Sequence, residues 1–146
     1  MKVIHSEDGA HTLNFQKGDE VMSGITDFCK KEDIQAAHIS GLGAASKLTI
    51  AYYNIETKEY EKKEFVENVE ILNLNGNVGV KEGGELVVHI HGTFGRRDFT
   101  VFGGHIFDMT ISGAGEVHLV SFSGDINRAY DDETGLTLMC PIKEQS

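Results

Sequence analysis

After residue 33, apolar and polar residues alternate with a period of two, and this pattern constrains the fold more than any other feature. Successive side chains of a strand point to opposite faces, so the alternation predicts strands with one buried face. Short glycine-containing segments separate these strands. Neighbours joined so briefly must mostly pair antiparallel, because a parallel return needs a longer crossover. The predicted strands span residues 34–40, 48–53, 60–65, 69–80, 86–94, 99–110, 117–122 and 136–140.

One helix is predicted near the start of the chain, from about Gly18 to Lys31. Apolar residues there fall at i, i+4, i+7 and i+8, which is one face of a 3.6-residue helix: Val21, Ile25, Phe28 and Cys29. Together the helix and strands predict an α+β fold with a central, mostly antiparallel sheet of about seven or eight strands. The charge-rich segment 60–65 is expected at an edge of that sheet. No linker or repeat interrupts the pattern, so residues 1–146 are expected to form a single domain.

The charge of the chain argues against some classes of partner. Its 146 residues include 13 Lys and Arg against 23 Asp and Glu, for a formal charge of −10. Binding to a phosphate backbone depends on Lys and Arg displacing counterions, so direct DNA binding is not expected. Docking on an anionic membrane surface is disfavoured for the same reason.

The compartment is predicted from what the sequence lacks. No apolar stretch approaches the roughly 20 residues of a membrane helix, and the N-terminus turns acidic at once, unlike a signal peptide. Cys29 and Cys140 lie far apart and belong to no Cys-x-x-Cys pair. We therefore expect free, buried thiols in a cytoplasmic protein.

Three histidines form the strongest candidate site. In the predicted strand 86–94, His89 and His91 point to the same face, opposite the apolar face that includes Ile90. His105 follows two glycines in a strand that we expect nearby. Three neutral imidazoles with one open position are a known zinc arrangement, and imidazole also suits nickel, copper and iron. The alternative is a polar strand face whose histidines only form hydrogen bonds with their neighbours.

Other histidines and one carboxylate are weaker candidates. Glu116 and His118 share a face of one predicted strand, so they could lie behind the metal ligands, with Glu116 as a general base. An ordinary exposed carboxylate is the simpler interpretation. His5 and His11 are expected in solvent, and His38 is expected to be a hydrogen-bonded strand residue.

Two familiar motifs fail on inspection. The segment 41–46 begins like the dinucleotide fingerprint, but its sixth residue is Ser46 and a strand follows where that motif needs a helix. Gly83 followed by His89-x-His91 matches the opening of a cupin motif. The expected glutamate is missing, however, because Gly95 and Arg96 occupy the positions where it should stand.

The order of these motifs resembles the PPC (plants and prokaryotes conserved) domain, of the freestanding prokaryotic type. The resemblance covers about residues 5–140 and rests on the helix followed by five motifs: Gly41-Leu42-Gly43-Ala44, Leu74-Asn75-Gly76-Asn77-Val78, His89-Ile90-His91, Gly103-Gly104-His105 and Glu116. It implies a PPC-like α+β fold, a homotrimer and a histidine cluster that holds zinc. Members of the family are often labelled predicted DNA-binding proteins. Plant members carry a separate basic AT-hook, which this sequence lacks.

The sequence thus predicts a protein that binds zinc, or another transition metal, through His89, His91 and His105, and the resemblance implies that it is a homotrimer. The metal could activate water against a small substrate, but no catalytic residue is assigned and enzymatic activity stays open. The alternative is a non-catalytic oligomerisation module with a protein partner. The identities of both the small molecule and the protein partner are left open.

Overall fold

A computed structural model describes residues 1–141, in which two long strands run through the middle of a nine-stranded sheet. One helix precedes them. In chain order the elements are β1 (Lys2–Glu7), β2 (Ala10–Gln16), α1 (Val21–Lys31), β3 (Ala37–Asn54), β4 (Glu59–Phe65), β5 (Val69–Lys81), β6 (Leu86–Gly95), β7 (Val101–Ser121), β8 (Asn127–Asp131) and β9 (Leu136–Met139). The predicted α+β class is confirmed.

The sheet closes on itself where the candidate site lies. Its main order is β1-β2-β7-β3-β5-β8-β9, while β6 pairs with both β5 and β7. Because β3 also pairs with both of these strands, β3, β5, β6 and β7 form a ring of pairings around a buried apolar core. All pairings are antiparallel except that of β5 with β8. Among residues 1–141, the charged strand β4 pairs only with β3 and is an edge strand, as predicted.

Helix α1 begins at Val21, three residues later than predicted. Glu20 caps it: the side-chain carboxylate accepts hydrogen bonds from the backbone N–H groups of Met22 and Ser23. The same carboxylate accepts the backbone N–H of Met109 in β7 at 3.1 Å, which ties the helix start to the central strand. The predicted apolar face of the helix is the buried one.

At two places in the chain, two strands that were predicted separately are parts of one continuous strand. The glycine-rich segment 41–44 was expected to separate two strands, but β3 runs straight through it with irregular register. Gly43 has φ +147°, and a Cβ on it would lie 2.3 Å from the carbonyl oxygen of Ala114. Its glycine character thus permits a bulge and close contact between β3 and β7. Likewise, the predicted strands 99–110 and 117–122 are both parts of β7.

Three strands and one thiol differ from expectation. The hairpin β1–β2 and the short strand β8 were not predicted, although Leu13 and Phe15 in β2 are fully buried and alternate with polar residues. Both cysteines are free, and Cys29 is buried as expected. Cys140 is exposed, because it follows the outermost strand β9 at the end of the sheet.

Candidate metal centre

Strand β6 turns two histidines away from the core. Ile90 is fully buried, so the residues on either side of it, His89 and His91, must point to the opposite face of the strand. Their ring centroids lie 5.1 Å apart. Alternation along one strand is therefore sufficient to place two imidazoles side by side.

Strand β7 supplies the third imidazole. His105 is the register partner of His91 across the β6–β7 pair. Its ring centroid lies 5.0 Å from that of His89 and 5.3 Å from that of His91. One nitrogen from each of the three rings can be chosen such that all lie within 4.8 Å of one another.

Partial burial keeps two of these rings uncharged at neutral pH. It lowers the pKa of His89 to about 4, with smaller electrostatic contributions from the neighbouring side chains of Arg128 and His91. Burial likewise lowers the pKa of His105 to about 4, followed by the effects of the neighbouring histidines and of Lys62. Neutral imidazole is the form that binds a metal, so the environment favours the binding form.

Arg128 joins the cluster from strand β8. Its Nη2 lies 2.6 Å from Oδ1 of Asn77, to which it donates, and 3.4 Å from Nδ1 of His89. A guanidinium can only donate, so Nδ1 of His89 is the acceptor in this contact. Strands β5 and β8 thus contribute to the cluster too, since Asn77 lies on β5 opposite His89 and Arg128 lies on β8.

Aromatic rings support the other side of His105. The Tyr60 ring lies 4.9 Å from the His105 ring, and the Phe107 ring lies 4.9 Å from it as well, both measured between centroids. Nζ of Lys62 sits 3.6 Å from the centre of the Phe107 ring. Edge strand β4 therefore helps to hold His105 through Tyr60.

A cavity of about 660 Å³ opens beside the histidines. Its wall includes the three imidazoles, Arg128 and apolar side chains such as Val87, Leu136 and Leu138. This volume lies in the range of small-molecule sites. The cluster is consequently accessible to a ligand rather than sealed in the core.

The three histidines fit a transition-metal ion by the chemistry of their donor set. Imidazole nitrogen is a ligand for zinc, copper, iron and nickel, and three such ligands leave a coordination position free. One nitrogen from each ring lies within 4.8 Å of the other two, which is close enough for the three residues to hold one ion. The structure brings the three predicted histidines together.

The weaker candidates lie elsewhere. Glu116 is exposed and eleven residues from His105 along β7, roughly 35 Å of extended strand. It is therefore not a general base for an ion held by the histidines of its own chain. His118 is hydrogen-bonded to Thr12 at 3.1 Å, again far from the cluster.

The three remaining histidines also lie outside the cluster. His5 and His38 are exposed strand residues. His11 is only partly exposed: it contacts Ser6 and packs against Phe28, so the expectation that it lies in solvent was wrong.

Sequence reasoning missed Arg128 and Asn77. Arg128 stands in a polar segment without periodicity, and it reaches His89 only because β8 pairs in parallel with β5. Asn77 belongs to the motif 74–78 on which the family resemblance rests, and this was the single signal that pointed to it.

A comparison with models of known protein families identifies the family to which this chain belongs. The model of the Plants and Prokaryotes Conserved (PCC) domain matches residues 5–123, which is most of the sequence. The chain belongs to the PCC domain family. The family resemblance predicted from the order of the glycine and histidine motifs is thereby confirmed.

Solved structures extend the comparison. A metal-containing protein from Archaeoglobus fulgidus is 40% identical, with a TM-score of 0.85 and coverage of 97% of this chain and 100% of that one. A protein from Bacteroides thetaiotaomicron named as a candidate DNA-binding protein is 30% identical, with a TM-score of 0.90 and coverage of 95% and 96%. A plant- and prokaryote-conserved (PPC) protein from Pyrococcus horikoshii is 30% identical, with a TM-score of 0.83 and coverage of 97% and 95%.

No curated protein matches the PCC-domain chain significantly. Within residues 1–141, no helix has the length and apolar character that crossing a membrane requires.

Proposed function

We propose that this PCC-domain protein is a metal-binding protein whose ion, zinc in the first instance, is held by His89, His91 and His105. The observation that carries the proposal is the convergence of one nitrogen from each ring within 4.8 Å, on two paired strands. The metal-containing protein from Archaeoglobus fulgidus, at 40% identity, supports it.

The chain's own residues divide the remaining tasks. The aromatic side of the site, through Tyr60, keeps the His105 ring in place, and the cavity admits a small molecule next to the three imidazoles. A bound divalent ion would supply Lewis-acid chemistry toward an oxygen of that molecule. No carboxylate is proposed as a general base, because Glu116 lies too far along β7.

Metal titration tests the proposal. Metal-free protein is titrated with Zn²⁺ by calorimetry and with Co²⁺ by visible absorption, which reports the number of ligands and their geometry. We expect one ion per chain in the wild type, and at least tenfold weaker binding after His91→Ala. His38→Ala is the matched control, since it removes an exposed strand histidine that does not belong to the cluster. Equal affinity in wild type and His91→Ala would refute the site.

We further propose that the single domain, residues 1–146, assembles as a homotrimer in the cytoplasm. Exposed apolar side chains on the central strands, among them Leu42, Leu72 and Val120, support an interface between chains. The two free thiols suit a reducing compartment. Sedimentation equilibrium checks the assembly: a mass three times 16.0 kDa is expected, and a monomer at micromolar concentration would contradict it.

The oligomerisation module without chemistry is the alternative function. It predicts the same trimer but no metal, and a trimer that persists after His91→Ala together with absence of metal in the wild type would favour it. Direct DNA binding is not proposed for this chain, because its formal charge is −10.

A further inference from the structure

Arg128 is the one polar or charged residue among residues 1–141 that the fold buries, with 6% of its surface exposed. It lines the cavity beside the histidines. Burial lowers the pKa of its guanidinium, yet arginine keeps its proton in proteins, so the side chain carries a full positive charge there.

No negative charge within residues 1–141 compensates Arg128. Its Nη1 donates to the backbone carbonyl oxygen of Thr137 at 3.0 Å, and Nη2 contacts the amide oxygen of Asn77 and Nδ1 of His89. All three partners are neutral. None of the ion pairs formed by the described residues includes Arg128, and its Nε–H has no acceptor among them.

The unused donors indicate what is missing. A guanidinium has five N–H donors, and the contacts above engage three of them. Of the two that are left, the one on Nε is itself closed to solvent and lies near Gly79, so the second N–H of Nη1 is the donor proposed to meet an anion. Burying a charge without a counter-charge is strongly unfavourable, whereas a guanidinium paired with an oxyanion gains short, charge-assisted hydrogen bonds. The cavity that Arg128 lines is the space in which such an anion fits.

We propose that the cavity binds a small organic carboxylate, whose charged group pairs with Arg128 and whose other end lies beside the three histidines. The part that concerns the histidines rests on the proposed metal function; the pairing with Arg128 does not. A single guanidinium matches the single charge of a carboxylate better than the double charge of phosphate. Apolar wall residues such as Val87 and Leu138 suit a short hydrocarbon body.

The probes are acetate, glycolate and inorganic phosphate, titrated at constant ionic strength into metal-free and zinc-loaded protein. Binding is followed by nuclear magnetic resonance, including the Arg128 Nε–H signal. We expect acetate and glycolate to bind the metal-free protein more tightly than phosphate does. Zinc should increase the affinity for glycolate, which has a second oxygen donor, by a factor at least ten times larger than its effect on the affinity for acetate. Tighter phosphate binding, or no carboxylate binding in either form, would overturn the proposal.

Two variants test the role of Arg128 itself. Arg128→Gln should weaken glycolate binding to the metal-free protein at least tenfold, whereas Arg97→Gln, at an exposed arginine, should not change it. Asn77→Asp keeps the arginine but places a carboxylate where the amide oxygen now lies 2.6 Å from Nη2. This internal ion pair should raise the melting temperature and weaken the binding of glycolate at least tenfold. If either variant folds and binds glycolate like wild type, the proposal is wrong.

The design separates this proposal from the metal proposal. His91→Ala, which lacks the proposed metal site, should lose the gain in glycolate affinity that zinc gives the wild type, while Arg128→Gln should lose the affinity that needs no zinc. Binding of zinc with no carboxylate binding would leave the metal function intact and overturn the anion site. If carboxylate binding depends on Arg128 but the protein takes up no metal, the pairing with Arg128 would be supported. The proposed position of the ligand's other end beside a histidine-bound metal would then be overturned.

Discussion

The approach of β5 to β6, which carries two of the three histidines, depends on the absence of a side chain at Gly76. A Cβ on this residue would lie 2.1 Å from the carbonyl oxygen of His89 and 2.8 Å from the Cα of Ile90. Ordinary carbon–oxygen contacts are about 3.3 Å or longer, so Gly76→Ala forces the two backbones to move about 1 Å farther from each other. Overpacking of this kind costs about 3 kcal/mol of unfolding free energy, or about 6–12 °C in melting temperature for a chain of this size.

Gly113→Ala in β7 is the matched control. Gly113 is also a strand glycine, but a Cβ there would meet nothing within 4 Å and its φ is not in the left-handed region. Alanine should leave stability unchanged or raise it by about 0.5 kcal/mol. Urea denaturation of both metal-free variants, at one protein concentration, measures the difference. Gly76→Ala should also bind zinc more weakly, because the strand that carries His89 has moved. A difference of less than about 0.5 kcal/mol between the variants would refute this account of strand packing.

Further predictions concern protonation, thiols and the helix start. Because the pKa of His89 and of His105 is about 4 in the folded state and ordinarily 6.5, the unfolded chain takes up protons first as pH falls. The stability that each neutral ring contributes is complete above pH 6.5 and is lost toward pH 4. Urea denaturation of the metal-free protein should show a loss of about 1 kcal/mol per ring between pH 6.5 and 5, after allowance for solvent screening. Stability that is constant over that interval would contradict the pKa values. Burial raises the pKa of Cys29 to about 12 while Cys140 is exposed, so a thiol reagent at pH 8 should label one cysteine in native protein and two in urea. Rapid labelling of both in native protein would be the contrary result. Glu20→Ala, which removes the helix cap, should lower the unfolding free energy by about 1–2 kcal/mol, and an unchanged denaturation midpoint would exclude the capping role.

Local patterns were enough to predict the elements that bury one clear face. Helix α1 and strand β6 each have an apolar stripe at the right spacing, and both buried the predicted side. Glycines misled the prediction of strand ends, because Gly41 and Gly43 look like a turn in sequence yet permit a bulge in a continuous strand. Strand β8 has no pattern of its own. Two of its residues pair with β5, nearly fifty positions earlier in the chain, and four pair with β9.

The histidine cluster was predictable for a similar reason. The spacing of His89 and His91 reports their shared face, and the two glycines before His105 suggested close strand approach. Arg128 could not be predicted, because its contact with His89 spans 39 residues and depends on the register of a strand without periodicity. Local sequence patterns therefore identify the three candidate ligands, which lie on the paired strands β6 and β7, but they do not identify the charged Arg128 side chain beside them.

Metal content tests the central claim most directly. Untagged protein, purified without chelator and then offered zinc, is analysed by plasma mass spectrometry beside His105→Ala and the control His38→Ala. The account predicts about one ion per chain in wild type and in His38→Ala, and loss of that ion in His105→Ala. Wild-type protein without stoichiometric metal after exposure to zinc, or metal fully retained in His105→Ala, would contradict it.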